Sequence, residues 1–185
     1  MASLQPPLCD FGWKARDFGL LGVDGKRYNL AKARGKNGLL VMFICNHCPY
    51  VKSIRDHLVR DTRELQQQGI NSIAIMSNDP AEYAEDSFDN MKLVASQYGY
   101  PFPYVWDETQ QVAKDYGAVC TPDFFGFNAN LELQYRGRLD ASRKEVVADA
   151  PRELFNAMLQ IAKTGQGPHE QIASMGCSIK WKCEA

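Results

Sequence analysis

The stretch GLLVMFICNHCPYV, Gly38 to Val51, constrains the fold more than any other part of the chain. Gly38 to Ile44 is an unbroken apolar run of strand length, the pattern of a strand buried on both faces. Two cysteines follow, Cys45 and Cys48, and then Pro49, a residue suited to the first turn of a helix. Beyond it Val51, Ile54, Leu58 and Leu65 share one helical face. Lys52, Arg55, Asp56 and Arg63 fall elsewhere, and Gly69 is a natural stop. A buried strand thus hands over to a helix, with a CxxC pair at the junction. A cysteine there meets unpaired N–H groups and the positive end of the helix dipole, so its thiolate is stabilised and its pKa falls.

The rest of the chain repeats this alternation. GVDGK (Gly22 to Lys26) is an Asp-Gly turn between two short paired segments. INSIAIMSN (Ile70 to Asn78) is a second buried strand. SFDNMKLVASQYG (Ser87 to Gly99) opens on a capping serine and closes on glycine, as a helix does. YVW is a short strand, and DETQQVAKDYG (Asp107 to Gly117) reads as a helix with an acidic first turn. DFFGF and LELQYRG form a hairpin through NAN, and APRELFNAMLQIAKTG (Ala150 to Gly165) is a last amphipathic helix. The order predicts an α/β fold, a central mixed β-sheet with helices on both faces. With no repeat, low-complexity tract or linker, residues 1–185 are expected to form one domain, with 165–185 as a C-terminal tail.

Charge and hydropathy remove several function classes. The formal net charge of the 185 residues is −1 and the charges are scattered, so no nucleic acid or anionic membrane is expected as a partner. No apolar run approaches the roughly 18 residues of a membrane span. The N-terminus lacks a basic segment leading into an unbroken apolar one, so the expected compartment is the cytoplasm. Structural disulfides are rare there, and a CxxC points to redox catalysis or metal. The six cysteines are irregularly spaced apart from that one pair, which argues against a disulfide framework.

Three pieces, CNHCPYV, DETQQVAKDYGAVCTPDFFGF and LQYRGRLDASR, resemble the redoxin branch of the thioredoxin superfamily, the AhpC/TSA-related or peroxiredoxin-like proteins. GCSIKWK resembles the C-terminal signature of a subgroup that also carries CNHCP. The likeness extends from Trp13 to Lys182. It implies a thioredoxin-like fold, with an N-terminal extension or hairpin and a C-terminal tail added to the sheet. It also implies that Pro122 is cis, an isomer found in about 5–6% of X–Pro bonds in folded proteins. Lying against the dithiol, that proline would expose the backbone of Thr121 to an incoming peptide. Cys45 is then the outer, attacking thiol and Cys48 the resolving one, exchanging through a mixed disulfide. His47 is placed to tune the thiolate. The redox-active disulfide is the whole of the expected chemistry, with no organic cofactor and no metal. The partners are a protein or small-molecule disulfide or thiol and a reductant, and a homodimer through strand edges or the tail is left open.

Two departures separate the chain from its wider families. The strand LLVMFI carries no acid to shuttle protons. Cys45 stands where peroxiredoxins place a threonine, and Pro122 falls near the position of their arginine. Exchange is therefore the expected activity. The alternative is a thiol peroxidase, with antioxidant activity, in which Cys48 is peroxidatic and Arg136, Arg138 or Arg143 supplies the missing cation. The non-enzyme alternatives are an inactive redoxin fold and a zinc site built from the CxxC with two of Cys177, Cys183, His57 and His169. Cys120, near the dithiol edge, is a small buried hydrophobe or a further redox group. Arg138, Asp140 and Arg143 form a solvated loop or frame the active-site rim. Ile179 and Trp181 alternate with polar residues in the tail, so a docked tail can bring Cys177 to the dithiol as a third, relay cysteine. The alternative is a tail that only packs.

Overall fold

The computed structural model describes residues 3–183. The main sheet has seven strands: β2 (Leu20–Gly22), β3 (Arg27–Tyr28), β4 (Gly38–Phe43), β5 (Ile70–Met76), β6 (Tyr104–Trp106), β8 (Asp123–Phe127) and β9 (Leu133–Tyr135). Their spatial order is β3-β2-β6-β5-β4-β8-β9. β4, β5 and β6 run parallel, and the flanking pairs are antiparallel. A smaller three-stranded sheet is formed by β1 (Ser3–Leu4), β7 (Cys120–Thr121) and β10 (Gly176–Ser178), in the order β1-β10-β7.

Helices cover both faces, because β4 and β5 are apolar at every second residue on each side. Leu40, Met42, Ala74 and Met76 pack under α2 (Pro49–Gln67), α3 (Phe88–Gln97) and α5 (Glu153–Thr164). Leu39, Val41, Phe43, Ile73 and Ile75 pack against α1 (Leu30–Ala33) and α4 (Gln111–Tyr116). This is the mixed α/β architecture expected, and it is thioredoxin-like.

Three local expectations need correction. The helix read from Asp107 begins only at Gln111. The Asp107 carboxylate instead accepts from the backbone N–H groups of Val112 (3.3 Å) and Ala113 (2.9 Å), and Gln110 takes a left-handed conformation at φ 63°. Arg55, expected off the apolar face of α2, is buried, and its guanidinium donates to the Asn46 carbonyl at 3.2 Å. In the tail the strand does not follow Cys177 along the alternation of Ile179 and Trp181 but contains it, as Gly176–Ser178 paired on both edges.

Candidate active site

The end of β4, the start of α2 and the short strand β7 meet at one point. Cys48 is the N-cap of α2, with Pro49 at the first helical position. Facing it is Thr121, joined to Pro122 by a cis peptide bond. Cys45 Sγ lies 3.2 Å from Thr121 Oγ1, and Cys48 Sγ lies 3.2 Å from the Thr121 carbonyl oxygen, its acceptor when protonated. The CxxC thus sits against the Thr-Pro step as the sequence led one to expect.

Accessibility is different from expectation. Cys45 is 1% exposed and Cys48 0%, so neither is an outer thiol. The cause is the tail. β10 pairs antiparallel with β7, Cys177 opposite Thr121, and fills the edge expected to receive an incoming peptide. β1 pairs with the other edge of β10. Cys177 Sγ comes to 2.9 Å from Cys48 Sγ. Gly176 permits this closeness, because a Cβ there would stand 2.0 Å from the Thr121 carbonyl oxygen. Further bonds clamp the segment: Ser174 Oγ donates to the Pro122 carbonyl (2.9 Å), and the Ile179 amide to the Val119 carbonyl (3.0 Å).

Charge within the thiol cluster is uneven. The neighbouring Cys45 thiol, with Cys177 Sγ 2.9 Å away on the other side, lowers the Cys48 pKa to about 5 against burial. Burial, the bond to Cys48 and the charge of Asp86 push Cys45 well above the ordinary thiol range. Burial and its bond to Cys48 raise Cys177 to about 12. Within the cluster the pKa of Cys48 is pushed down and those of Cys45 and Cys177 are pushed up.

A second layer fixes the loop between the cysteines. Asp86, on a short 3₁₀ turn (Ala84–Asp86), is wholly buried and accepts four hydrogen bonds. These come from the Asn46 amide (2.8 Å), the His47 amide (3.2 Å), His47 Nδ1 (2.5 Å) and Asn78 Nδ2 (2.9 Å). Burial opposes ionisation, but the bonds from His47 and Asn78 hold the Asp86 carboxyl below its ordinary value. His47 stacks on Tyr83 with ring centroids 3.9 Å apart, and its Nδ1 is 3.7 Å from Cys45 Sγ. Tyr104 donates to Asn46 Oδ1 at 2.9 Å, so part of the aromatic run after Gly99 supports the motif. Asn78 also links this layer to the tail, since its Oδ1 accepts from the Lys180 amide at 2.9 Å.

The other candidates disperse. Cys120 is buried beside the Pro122 carbonyl (3.7 Å), and burial raises its pKa. Arg138 pairs with Glu153 (2.6 Å), Arg136 with Asp123 (3.0 Å), and Asp140 with His57 (2.6 Å). Arg143 bonds through its carbonyl to Ser53. Two of the three arginines considered as a peroxidatic cation are thus committed to carboxylates. Of the residues considered beside the CxxC as zinc ligands, Cys177 reaches it, but His57 is tied to Asp140, His169 sits near the Phe11 ring, and Cys183 is exposed. Cys45, His47 and Asp86 bring donor atoms within 4.8 Å of one another, but Nδ1 of His47 is already bonded to Asp86. That leaves fewer than the four ligands of a structural zinc site. Asp86 was absent from the sequence-based candidates. It sits far along the chain from the CxxC, and no spacing rule connects the two.

The AhpC/TSA family matches residues 11–140, and the chain belongs to that family. Over 122 residues it is 27% identical to the thiol-disulfide oxidoreductase ResA of Halalkalibacterium halodurans, spanning 66% of this chain and 65% of that relative. Among solved structures, a conserved protein from Geobacillus kaustophilus is 43% identical with a TM-score of 0.93, covering 100% of this chain and 99% of the other. The thioredoxin domain of a thiol-disulfide oxidoreductase from Bacteroides vulgatus shares the fold at 15% identity, with a TM-score of 0.63 over 82% and 97% of the two chains.

Proposed function

We propose that the protein is a thiol–disulfide oxidoreductase whose redox couple is Cys45–Cys48. The observation that carries this reading is a dithiol pressed against Thr121 and cis Pro122 with one thiolate stabilised at a helix N-terminus. The kinship with a protein named as a thiol-disulfide oxidoreductase supports it. In the reaction a thiolate attacks one sulfur of a substrate disulfide and releases the other half as a thiolate. The second cysteine, deprotonated in turn, attacks the mixed disulfide, frees the reduced substrate and leaves Cys45–Cys48 oxidised. An external thiol then restores the pair.

The attacking group is Cys48 rather than Cys45. The pKa of Cys48 is lowered where that of Cys45 is raised, and the Cys48 sulfur is the one that meets the strand on the β7 edge. His47 and Asp86 position the loop and keep negative charge near Cys45. The test is to assay reduction of insulin and of a glutathione mixed disulfide, with single serine substitutions. Cys45→Ser should accumulate a mixed disulfide on Cys48, and Cys48→Ser should accumulate none. If Cys48→Ser traps substrate and Cys45→Ser does not, the order is the reverse.

One observation favours a second reading, a thiol peroxidase. The cysteine of lowered pKa, Cys48, is the one followed by proline, as in a peroxidatic motif. Hydrogen peroxide consumption measured beside the disulfide assays separates the two. Peroxide turnover with sulfenic acid on Cys48, and no disulfide reduction, would replace exchange by peroxidase.

A further inference from the structure

The sulfur of Cys48 has thiol neighbours on two sides. Cys45 stands within the same motif, and Cys177 Sγ lies 2.9 Å away on the tail. A substrate reaching this point would add an extended strand beside Thr121, as peptides do on open sheet edges. β10 already occupies that place: Cys177 is opposite Thr121, and pairing continues through the Ile179 amide to Val119. The fit is built into the chain. Gly176 removes the one side chain that would strike the Thr121 carbonyl, and Ser174 bonds the Pro122 carbonyl. Beyond Cys177, Gln110 Nε2 donates to the Lys180 carbonyl (2.8 Å), and the Lys182 amide donates to Gln110 Oε1 (2.8 Å). The tail thus holds Cys177 as a substrate strand would hold its own cysteine.

We propose that Cys177 is a third exchange thiol, which takes the disulfide over from the CxxC pair. The proposal rests on the dithiol reading above. After oxidation has formed Cys45–Cys48, Cys177 gives up its proton and its sulfur attacks Cys48 Sγ. The Cys48–Cys177 bond forms and the Cys45–Cys48 bond breaks. Cys45 leaves as a thiolate and takes up a proton, with Thr121 Oγ1 3.2 Å from its sulfur. The step is an isomerisation that needs no further oxidant. It moves the disulfide from the CxxC pair to the strand that closes the site.

The experiment oxidises the full chain with limiting oxidised glutathione, quenches in acid, alkylates, digests without reductant and maps linkages by mass spectrometry. Wild type should show Cys48–Cys177 together with Cys45–Cys48, and Cys45→Ser should convert to Cys48–Cys177. Cys177→Ala keeps a small apolar group in the buried slot. It should slow turnover at least about tenfold while Cys45–Cys48 accumulates, and its melting temperature is recorded beside wild type to separate misfolding from lost chemistry. Absence of a Cys48–Cys177 linkage in both wild type and Cys45→Ser overturns the proposal. So does a linkage that forms while Cys177→Ala turns over at the wild-type rate, for it is then an off-cycle product. So does slowed turnover of Cys177→Ala without accumulation of Cys45–Cys48, which marks a packing role. If disulfide reduction proceeds and only the Cys177 linkage is missing, the relay fails alone. If wild type forms no Cys45–Cys48 disulfide and reduces nothing, the dithiol reading fails with it.

Discussion

Cys45 and Cys48 stand at the two ends of one motif, equally hidden from solvent, yet their surroundings push them in opposite directions. Cys45 closes the strand side. It faces a hydroxyl, an imidazole and the charge of Asp86, and burial raises its pKa without an amide to offset it. Cys48 opens the helix side, where the thiols of Cys45 and Cys177 flank its sulfur and lower its pKa. Burial penalises both charged forms. What separates them is the donor set, which exists only at the helix N-terminus and beside the tail. The lesson is that depth alone does not mark the inert cysteine, because the donors around each sulfur decide.

The largest test of this contrast removes the charge beside Cys45. Asp86 is a buried carboxylate with four donors, and Asp86→Asn strands two of them against an amide. Breaking such a buried pair costs about 3–5 kcal/mol, read as a lowered midpoint in urea unfolding. The sign with pH follows from the direction of its pKa, which in the folded state lies below the unfolded value. Its contribution is present above about pH 4 and is lost as pH falls through the lower folded value. Wild type should therefore lose stability in acid more steeply than the variant. In the variant the Cys45 thiol should also titrate lower. If unfolding and thiol titration are both unchanged, Asp86 does not separate the two cysteines.

Cys45→Ala attacks the same contrast from the donor side. The leading cause of the low Cys48 pKa is the hydrogen bond from Cys45. Thiolate absorbance at 240 nm should rise with a midpoint near pH 5 in wild type, and at least about one unit higher in the variant, a tenfold change in the ionisation constant. A midpoint that stays put would assign the thiolate to the helix end alone.

Gly176→Ala tests whether the tail is what hides both ends. The added Cβ meets the Thr121 carbonyl oxygen, so β10 must lift. Cys45 and Cys48 should then alkylate with iodoacetamide at least about tenfold faster, as expected when a docked segment opens locally. An unchanged rate would show that the dithiol is buried by elements other than the tail.

Much of this site is legible in the chain, and the unread parts share a physical cause. The buried strand, the cysteine pair and the proline-started helix follow one another in sequence, so local patterns carry them. The Thr121–Pro122 step is readable only through resemblance, and the structure has it cis. Cys48 and Cys177 are 129 residues apart, and Asp86 lies 39 residues beyond His47. Contacts at such separation leave no periodic signal. In the tail the alternation of Ile179 and Trp181 points to docking beside the dithiol, though β10 itself lies just before it and is too short to show a pattern of its own. Gly176 did carry a hint, since a glycine directly before a cysteine suits a close backbone approach. The helix after Asp107 starts later than its acidic opening suggests, because an acidic residue before a helix can bond the first amides from outside it.

The smallest expected effect comes from a second, partly buried histidine–aspartate pair. His57 Nδ1 lies 2.6 Å from Asp140, much as His47 lies 2.5 Å from Asp86. The resemblance ends there. Asp140 also accepts from the Ser142 amide at 2.7 Å, which shapes the loop after Gly137, and the structure gives its carboxyl no contact with the dithiol. Burial opposes its ionisation, but the bonds from Ser142 and His57 hold its pKa below the ordinary carboxylate value. In Asp140→Asn one amide oxygen still accepts from Ser142, so the loss should be about 1 kcal/mol. That corresponds to about 2–4 °C in melting temperature for a chain of this size. Disulfide reduction should stay within about twofold of wild type, because nothing in the thiol cluster changes. If reduction instead falls tenfold with the melting temperature preserved, the loop around Asp140 takes part in the active-site rim. The two pairs would then belong to one site rather than one to chemistry and one to the loop.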